Sequence, residues 1–225
     1  MTAAPRAIRK AEVIYPGPTM WVAVSFDIDN TLVERDAAVR SLLATKLDGA
    51  EVEEAMAIDD GGRGLRGLFR WLADRVPSLG DPEGVSRWFR RMVLHGVTED
   101  ASVTTTVRRI AQTHRTVVVS NGGAGQRRKL AAAGLSDAFE HVVVSGEVRA
   151  RKPSRAIFER ATSLLGVEPS SVLHVGDDPD ADVAGAAGAG LATCWVARGR
   201  SYPPGLPKPS LVVQHVSELP EVLSC

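Results

Sequence analysis

Cysteine is nearly absent: Cys194 and Cys225 are the only two in 225 residues. One bridge is the most they allow, which excludes a small scaffold stapled by disulfides. Neither sign of charge is in excess, because 27 Lys and Arg offset 27 Asp and Glu. The basic footprint of a nucleic-acid binder is therefore missing. No apolar run approaches the ~20 residues that a membrane span needs. The first residues carry charge but lack the apolar core of a secretory leader. These absences predict a reduced, cytoplasmic chain with no nucleic-acid and no membrane partner. Pro16, Gly17 and Pro18 predict a loose arm over residues 1–19, and Met20 stands as an alternative start.

Strand-length apolar runs recur at 21–26, 116–120, 141–145, 171–176 and 192–197, with an edge candidate at 211–216. They are rich in valine and show little polar alternation, the pattern of strands covered on both faces of a parallel sheet. Helical periodicity follows at 124–133, 154–165 and 180–189. Strand and helix in alternation predict an α/β fold, a doubly wound, Rossmann-like parallel sheet. The interval from 35 to 112 is far too long for one crossover helix. It reads as helices at 37–47, 52–58, 65–76 and 82–94, broken at Asp59-Asp60-Gly61-Gly62 and at 77–81, then a return helix at 103–113. The expected organisation is an arm at 1–19, a core of 20–34 plus 104–225, and a helical insertion at 35–103.

Open α/β sheets bind ligands beyond the carboxyl ends of their strands. After the first run come Asp27, Asp29 and Thr31. Residues two apart in an extended segment share a face, so both carboxylates can enter one cleft. A solvated turn would also account for them. After the second run comes SNGGAG, with Ser120 and Asn121, a natural anion seat at a helix start or simply a glycine-rich turn. After the third, Lys152 precedes Pro153, which suits a first helical turn. A cation there opposes the helix dipole; a surface lysine reaching water is the plainer alternative, and Arg151 stands beside it. After the fourth, Asp177, Asp178, Asp180 and Asp182 crowd together. A helix N-terminus welcomes the later two, but Asp177 directly after the strand points to a counter-charge such as a divalent cation. Taken in order, acids, an anion seat, a lysine and more acids converge on one cleft.

Those segments resemble the motifs of the haloacid dehalogenase (HAD) superfamily, in its Mg²⁺-dependent phosphatase branch. FDIDNTL is similar to the first motif, VVVSNG to the second, RKP to the third and HVGDDPDADVAGAAGAG to the fourth. Asn30 stands where many members have glycine. The insertion resembles a C1-type cap in placement only, since its residues match no motif.

The resemblance implies a phosphomonoester hydrolase acting on a small phosphorylated metabolite, such as a sugar phosphate, a nucleotide or phosphoglycolate. It implies Asp27 as nucleophile and Asp29 as general acid and base. Mg²⁺ is implied as cofactor, held by Asp27, by Asp29 through its backbone carbonyl, and by Asp177, with Asp178 and Asp182 behind them. Thr31, Ser120, Asn121 and Lys152 are implied as phosphate binders. A phosphomutase keeps the same two aspartates and is the alternative; the family's dehalogenases lack the second. Within the insertion, Arg63, Arg66, Arg70 and Trp71 are candidates for specificity, or the solvated face of a helix.

Overall fold

The computed structural model describes residues 21–223. The arm at 1–19, Met20 and Cys225 lie outside the described residues. Six strands form one parallel sheet: β1 (Ala23–Phe26), β2 (Arg115–Ser120), β3 (His141–Val144), β4 (Val172–Gly176), β5 (Ala192–Val196) and β6 (Leu211–Val213), in the order β3-β2-β1-β4-β5-β6. Both faces are covered, as the valine-rich runs require. Val24 and Phe26 pack with Val118, Leu173 and Val175 on one face, while Ala23, Val117, Val119 and Val172 pack on the other.

Between β1 and β2 run five helices: α1 (Arg35–Leu43), α2 (Gly49–Asp59), α3 (Leu65–Arg75), α4 (Pro82–His95) and α5 (Ala101–Ala111). The first four bury a core of their own, built from residues such as Val39, Leu43, Leu68, Leu72 and Phe89. By contrast α5 turns Val103, Val107 and Ile110 onto the sheet. It begins at Ala101, so the division expected at 103/104 falls in its first turn. Downstream come α6 (Gly125–Ala132), the short α7 (Ser145–Val148), α8 (Arg155–Leu165), α9 (Gly185–Gly188) and α10 (Leu219–Leu223). Ile157, Phe158 and Ala186 from α8 and α9 cover one sheet face, and Leu130 of α6 and Leu219 of α10 the other.

Several boundaries differ from expectation for local reasons. Helix α2 starts early because Asp48 and Glu51 form a capping box, with the Asp48 carboxylate accepting from Glu51 N–H at 2.9 Å. Helix α4 starts at Pro82 under the Asp81 side chain, as expected of proline at a first helical position. The helix expected at 180–189 is instead a π-turn, Pro179–Ala184, leading into α9. Strand β6 stops at Val213, where the Glu218 side chain accepts from Gln214 N–H at 2.9 Å. Among the described residues no helix is long and apolar enough to cross a membrane.

The break at Asp59-Asp60-Gly61-Gly62 contains a buried ion pair. Arg35 holds both oxygens of Asp59, at 2.6 and 2.8 Å, with Asp59 fully buried. Removing one partner of such a pair leaves a bare buried charge, at a cost of ~3–5 kcal/mol. Arg35→Met should lower the stability read from urea unfolding by that much, because among the described residues the buried Asp59 pairs with no other cation, whereas Arg35 also reaches Asp36 at 2.7 Å. The double variant Arg35→Met, Asp59→Leu should lose less, because neither charge is stranded.

Candidate active site

The strand order reverses between β1 and β4, so the sheet opens a crevice at their carboxyl ends. Phe26 pairs with Val175, which brings Asp27 and Asp177 out of neighbouring strands side by side. The Asp27 N–H donates to the Val175 carbonyl at 2.9 Å, extending the pairing to the nucleophile candidate itself. Gly176 is required here: a Cβ would lie 2.3 Å from Asp182 Cγ. That space lets Asp182 fold back from the π-turn beneath the strand end. Carboxylate oxygens of Asp27, Asp177 and Asp182 lie within 4.8 Å of one another, and all three residues are buried.

Lys152 answers part of this charge. Its Nζ donates to Asp27 Oδ1 at 2.5 Å and to Asp182 Oδ1 at 2.6 Å, and its side chain is 3% exposed. It occupies the turn ahead of Ser154, outside α8, so the expected clash with a helix dipole does not arise. Asn121 fixes that turn through its side chain, accepting from Lys152 N–H at 2.9 Å and donating to the Lys152 carbonyl at 3.0 Å. Burial opposes an ammonium ion, yet Asp182 and Asp27 hold Lys152 above the ordinary lysine pKa. Beneath them His174 lies 3.2 Å from Asp182 Oδ1 through Nε2 and 2.9 Å from Ser25 Oγ through Nδ1. Burial pushes the His174 pKa down, favouring the neutral ring.

The three acids are not equivalent. Burial, then the neighbouring Asp182 and Asp29, raise Asp27 to about 7 against the pull of Lys152. Burial, then Asp182 and Asp27, raise Asp177 to about 8. Its only charge partner among the described residues is Arg200 at 3.0 Å, a side chain 46% exposed. Asp182 goes the other way: burial would raise it, but Lys152 and His174 hold it below the usual range. A divalent cation fits this donor set, because Asp27 and Asp177 are buried acids short of positive charge. Three buried carboxylates share one buried cation: Lys152 is divided between Asp27 and Asp182, and Asp177 has only the exposed Arg200.

The other expected residues separate into two groups. Ser120 is buried at the end of β2 and its Oγ accepts from Gln126 Nε2 at 2.7 Å. Asp29 lines the same cleft, an opening of about 1010 Å³ that also takes in Asn121, Lys152, Asp177, Asp178 and Asp182. Thr31 is not brought there. Asn30 adopts φ 57°, a left-handed conformation that asparagine tolerates, and the chain reverses. The reversal carries Thr31 into the lining of a second cavity with Glu34 and Glu99, and its Oγ1 is buried without a hydrogen-bond partner. Asp178 faces the insertion: its Oδ2 takes Arg63 Nη1 at 2.6 Å, while its Oδ1 caps Asp180 N–H at 2.9 Å. Arg63 lines the cleft, joined by Phe89, Arg90 and Arg128; Arg66, Arg70 and Trp71 do not. The Trp71 indole donates to Glu54 at 2.9 Å instead.

Two site residues escaped sequence reading. Lys129 Nζ lies 2.5 Å from Asp29 Oδ1, and Gln126 Nε2 lies 3.0 Å from Asp29 Oδ2. Their signal was a spacing of three on the helix after the glycine turn, which puts both on one face.

Acids with raised pKa values bind protons more tightly folded than unfolded. For Asp27 and Asp177 that stabilisation is full below about pH 4 and is lost as pH rises through about 7 to 8. Cation-free protein should therefore melt at lower temperature near pH 9 than near pH 6, after correction for other groups with an Asp27→Asn, Asp177→Asn control. Added Mg²⁺ should raise the melting temperature more at the higher pH.

A family model described as haloacid dehalogenase-like hydrolase matches residues 21–190. N-acylneuraminate-9-phosphatase from Rattus norvegicus is 37% identical over 112 residues, which is 48% of this chain and 45% of the relative. Pyrimidine 5'-nucleotidase YjjG from Escherichia coli K12 is 39% identical over 109 residues, 47% of this chain and 48% of the relative. The match thus spans about half the length of these curated relatives. In three dimensions, the magnesium-bound HAD-hydrolase YfnB from Bacillus subtilis superimposes with a TM-score of 0.80 at 21% identity, covering 91% of this chain and 99% of that one. At such identity the likeness is one of fold.

Proposed function

The chain belongs to the haloacid dehalogenase-like hydrolases, and from that premise we propose that it hydrolyses phosphomonoesters of small metabolites through an aspartyl-phosphate. The observation that carries this reading is the buried Asp27 held by Lys152 at 2.5 Å, with the Asp29 carboxyl beside it in the cleft. The phosphatase and nucleotidase names of the relatives support the substrate class.

In this reading an Asp27 oxygen bonds to phosphorus while the bond from phosphorus to the ester oxygen breaks. The electron pair stays on the ester oxygen, and Asp29 delivers a proton to it. Water then attacks the aspartyl-phosphate, Asp29 takes a proton from that water, and inorganic phosphate leaves with Asp27 restored. Lys152 Nζ, the Ser120 hydroxyl and the Asn121 N–H are the donors assigned to the non-bridging oxygens. Mg²⁺, when bound to Asp27, Asp177 and the Asp29 backbone carbonyl, would supply charge neutralisation for the transferring group. Residues 35–103 act as the cap, with Arg63 bridging its tip to Asp178. The leaving group's need for a proton separates this chemistry from dehalogenation: a halide leaves unprotonated, whereas an alkoxide needs Asp29.

Phosphate release from p-nitrophenyl phosphate with Mg²⁺ tests the reading. Sustained release over many turnovers is expected, whereas a single equivalent favours the mutase. Asp27→Asn should lower turnover by at least ~10³-fold, beyond the ~10²–10³ of one lost donor. A well-folded Asp27→Asn protein that keeps a tenth of the activity contradicts the assignment.

A further inference from the structure

We infer that Lys129 is the positioning residue that aims the Asp29 carboxyl at the leaving-group oxygen; this rests on the phosphatase reading above. Among the described residues the Asp29 carboxyl has two hydrogen-bond partners, and both come from one turn of α6. Lys129 Nζ takes Oδ1 at 2.5 Å and Gln126 Nε2 takes Oδ2 at 3.0 Å. Each oxygen is thus tethered separately, which sets the plane of the carboxyl as well as its distance. The Asp29 backbone is held by its own turn, through a bridge to Val33. The side chain is the remaining freedom, and it is the part that must meet the substrate. Proton transfer needs the donor within hydrogen-bond reach of the ester oxygen, and a misplacement of about 1 Å costs ~10²-fold in rate.

Lys129 is unlike the basic residues around it. Arg127 and Arg128 on the same helix are exposed, but the Lys129 side chain is only 13% exposed. Lysines are seldom that covered unless paired. The two tethers also differ in strength. With Asp29 protonated, as a proton donor must be, the hydrogen bond from the ammonium is charge-assisted and roughly twice as strong as the one from the neutral amide. Oδ1 therefore stays on Lys129, while Oδ2 can leave Gln126 and swing to the ester oxygen. Gln126 Nε2 keeps a second contact at 2.7 Å on Ser120 Oγ. The same amide therefore touches the acid and a hydroxyl assigned to the phosphate, and α6 sets one against the other.

The alternative role for Lys129, a direct phosphate ligand, predicts a different kinetic pattern. A phosphate ligand acts on every substrate alike. A residue that aims the acid matters in proportion to how badly the leaving group needs a proton. The test is kcat/KM for phenyl phosphate against p-nitrophenyl phosphate, whose leaving group departs with little help. This ratio covers the steps through aspartyl-phosphate formation. The enzyme, Lys129→Met, Lys129→Arg and Asp29→Asn are compared as full-length Mg²⁺-loaded proteins, with circular dichroism to establish folding. Asp29→Asn sets the full loss of discrimination. Lys129→Met is expected to lose ~10-fold or more on phenyl phosphate and under ~3-fold on p-nitrophenyl phosphate, with KM changed little. Lys129→Arg, which keeps the charge and a donor, is expected to recover most of the difference. Equal losses on both substrates, or no loss, overturn the inference while leaving the phosphatase reading intact. Should Lys129→Met not fold, Lys129→Gln takes its place: a loss larger on phenyl phosphate than on p-nitrophenyl phosphate supports the tether, and an equal loss on both, or none, contradicts it. If Asp29→Asn itself shows no preference between the substrates, the role given to Asp29 fails first, and this inference with it.

Discussion

One ammonium group joins segments that lie far apart in the chain. Lys152 Nζ sits between Asp27, after β1, and Asp182, on the turn after β4, with all three groups buried. Two carboxylates at this spacing would repel, and each alone would be costly to bury. The lysine makes the approach tolerable, and its own turn is clamped by the Asn121 side chain. The ends of β1, β2 and β4 are therefore mutually constrained through one cation. Remove it and the acids lose their reason to stay together.

The same contact creates inequality among identical side chains. Lys152 and His174 keep Asp182 ionised, whereas Asp27 and Asp177 are left holding protons up to about 7 and 8. Asp29, two residues along, looks to a different cation altogether, Lys129. Chemistry on a phosphate ester needs one carboxylate to attack and another to handle protons, and unequal surroundings are how a protein divides such tasks. The insertion also lines the cleft. Its tip reaches the core through Arg63, which pairs with Asp60 of the insertion and Asp178 of the π-turn region. The tip of the insertion and the site loop are thus linked by charge.

The fold was largely legible because its signals are physical and local. Valine-rich runs without polar alternation read as strands covered on both faces, and a structureless interval of that length after β1 would be unusual in a compact domain, so helices were expected there. Asp27, Asp29, Ser120, Asn121, Lys152, Asp177 and Asp182 meet in one cleft because each follows a strand of the same sheet. What escaped detection depends on contacts between segments remote in sequence. Nothing near Lys129 reveals that Asp29 lies 100 positions away at 2.5 Å. Thr31 lines a different cavity because its direction hangs on one left-handed residue, Asn30, within a tight turn. Arg66 and Arg70 share a helix with the expected basic face, but the pitch of α3 carries them off the cleft, and Arg90 of α4 lines it instead.

The central claim is that Asp27, singled out from its neighbours by Lys152 and a divalent ion, is the group that receives the phosphoryl. A crystal grown with Mg²⁺ and soaked in beryllium fluoride, a mimic of the phosphoryl group, tests it most directly. The account predicts a covalent-like adduct on an Asp27 oxygen, an ion touching Asp27 and Asp177, and Lys152 Nζ turned to the adduct. An adduct on another acid, or full occupancy of the mimic with no ion beside those aspartates, would contradict it.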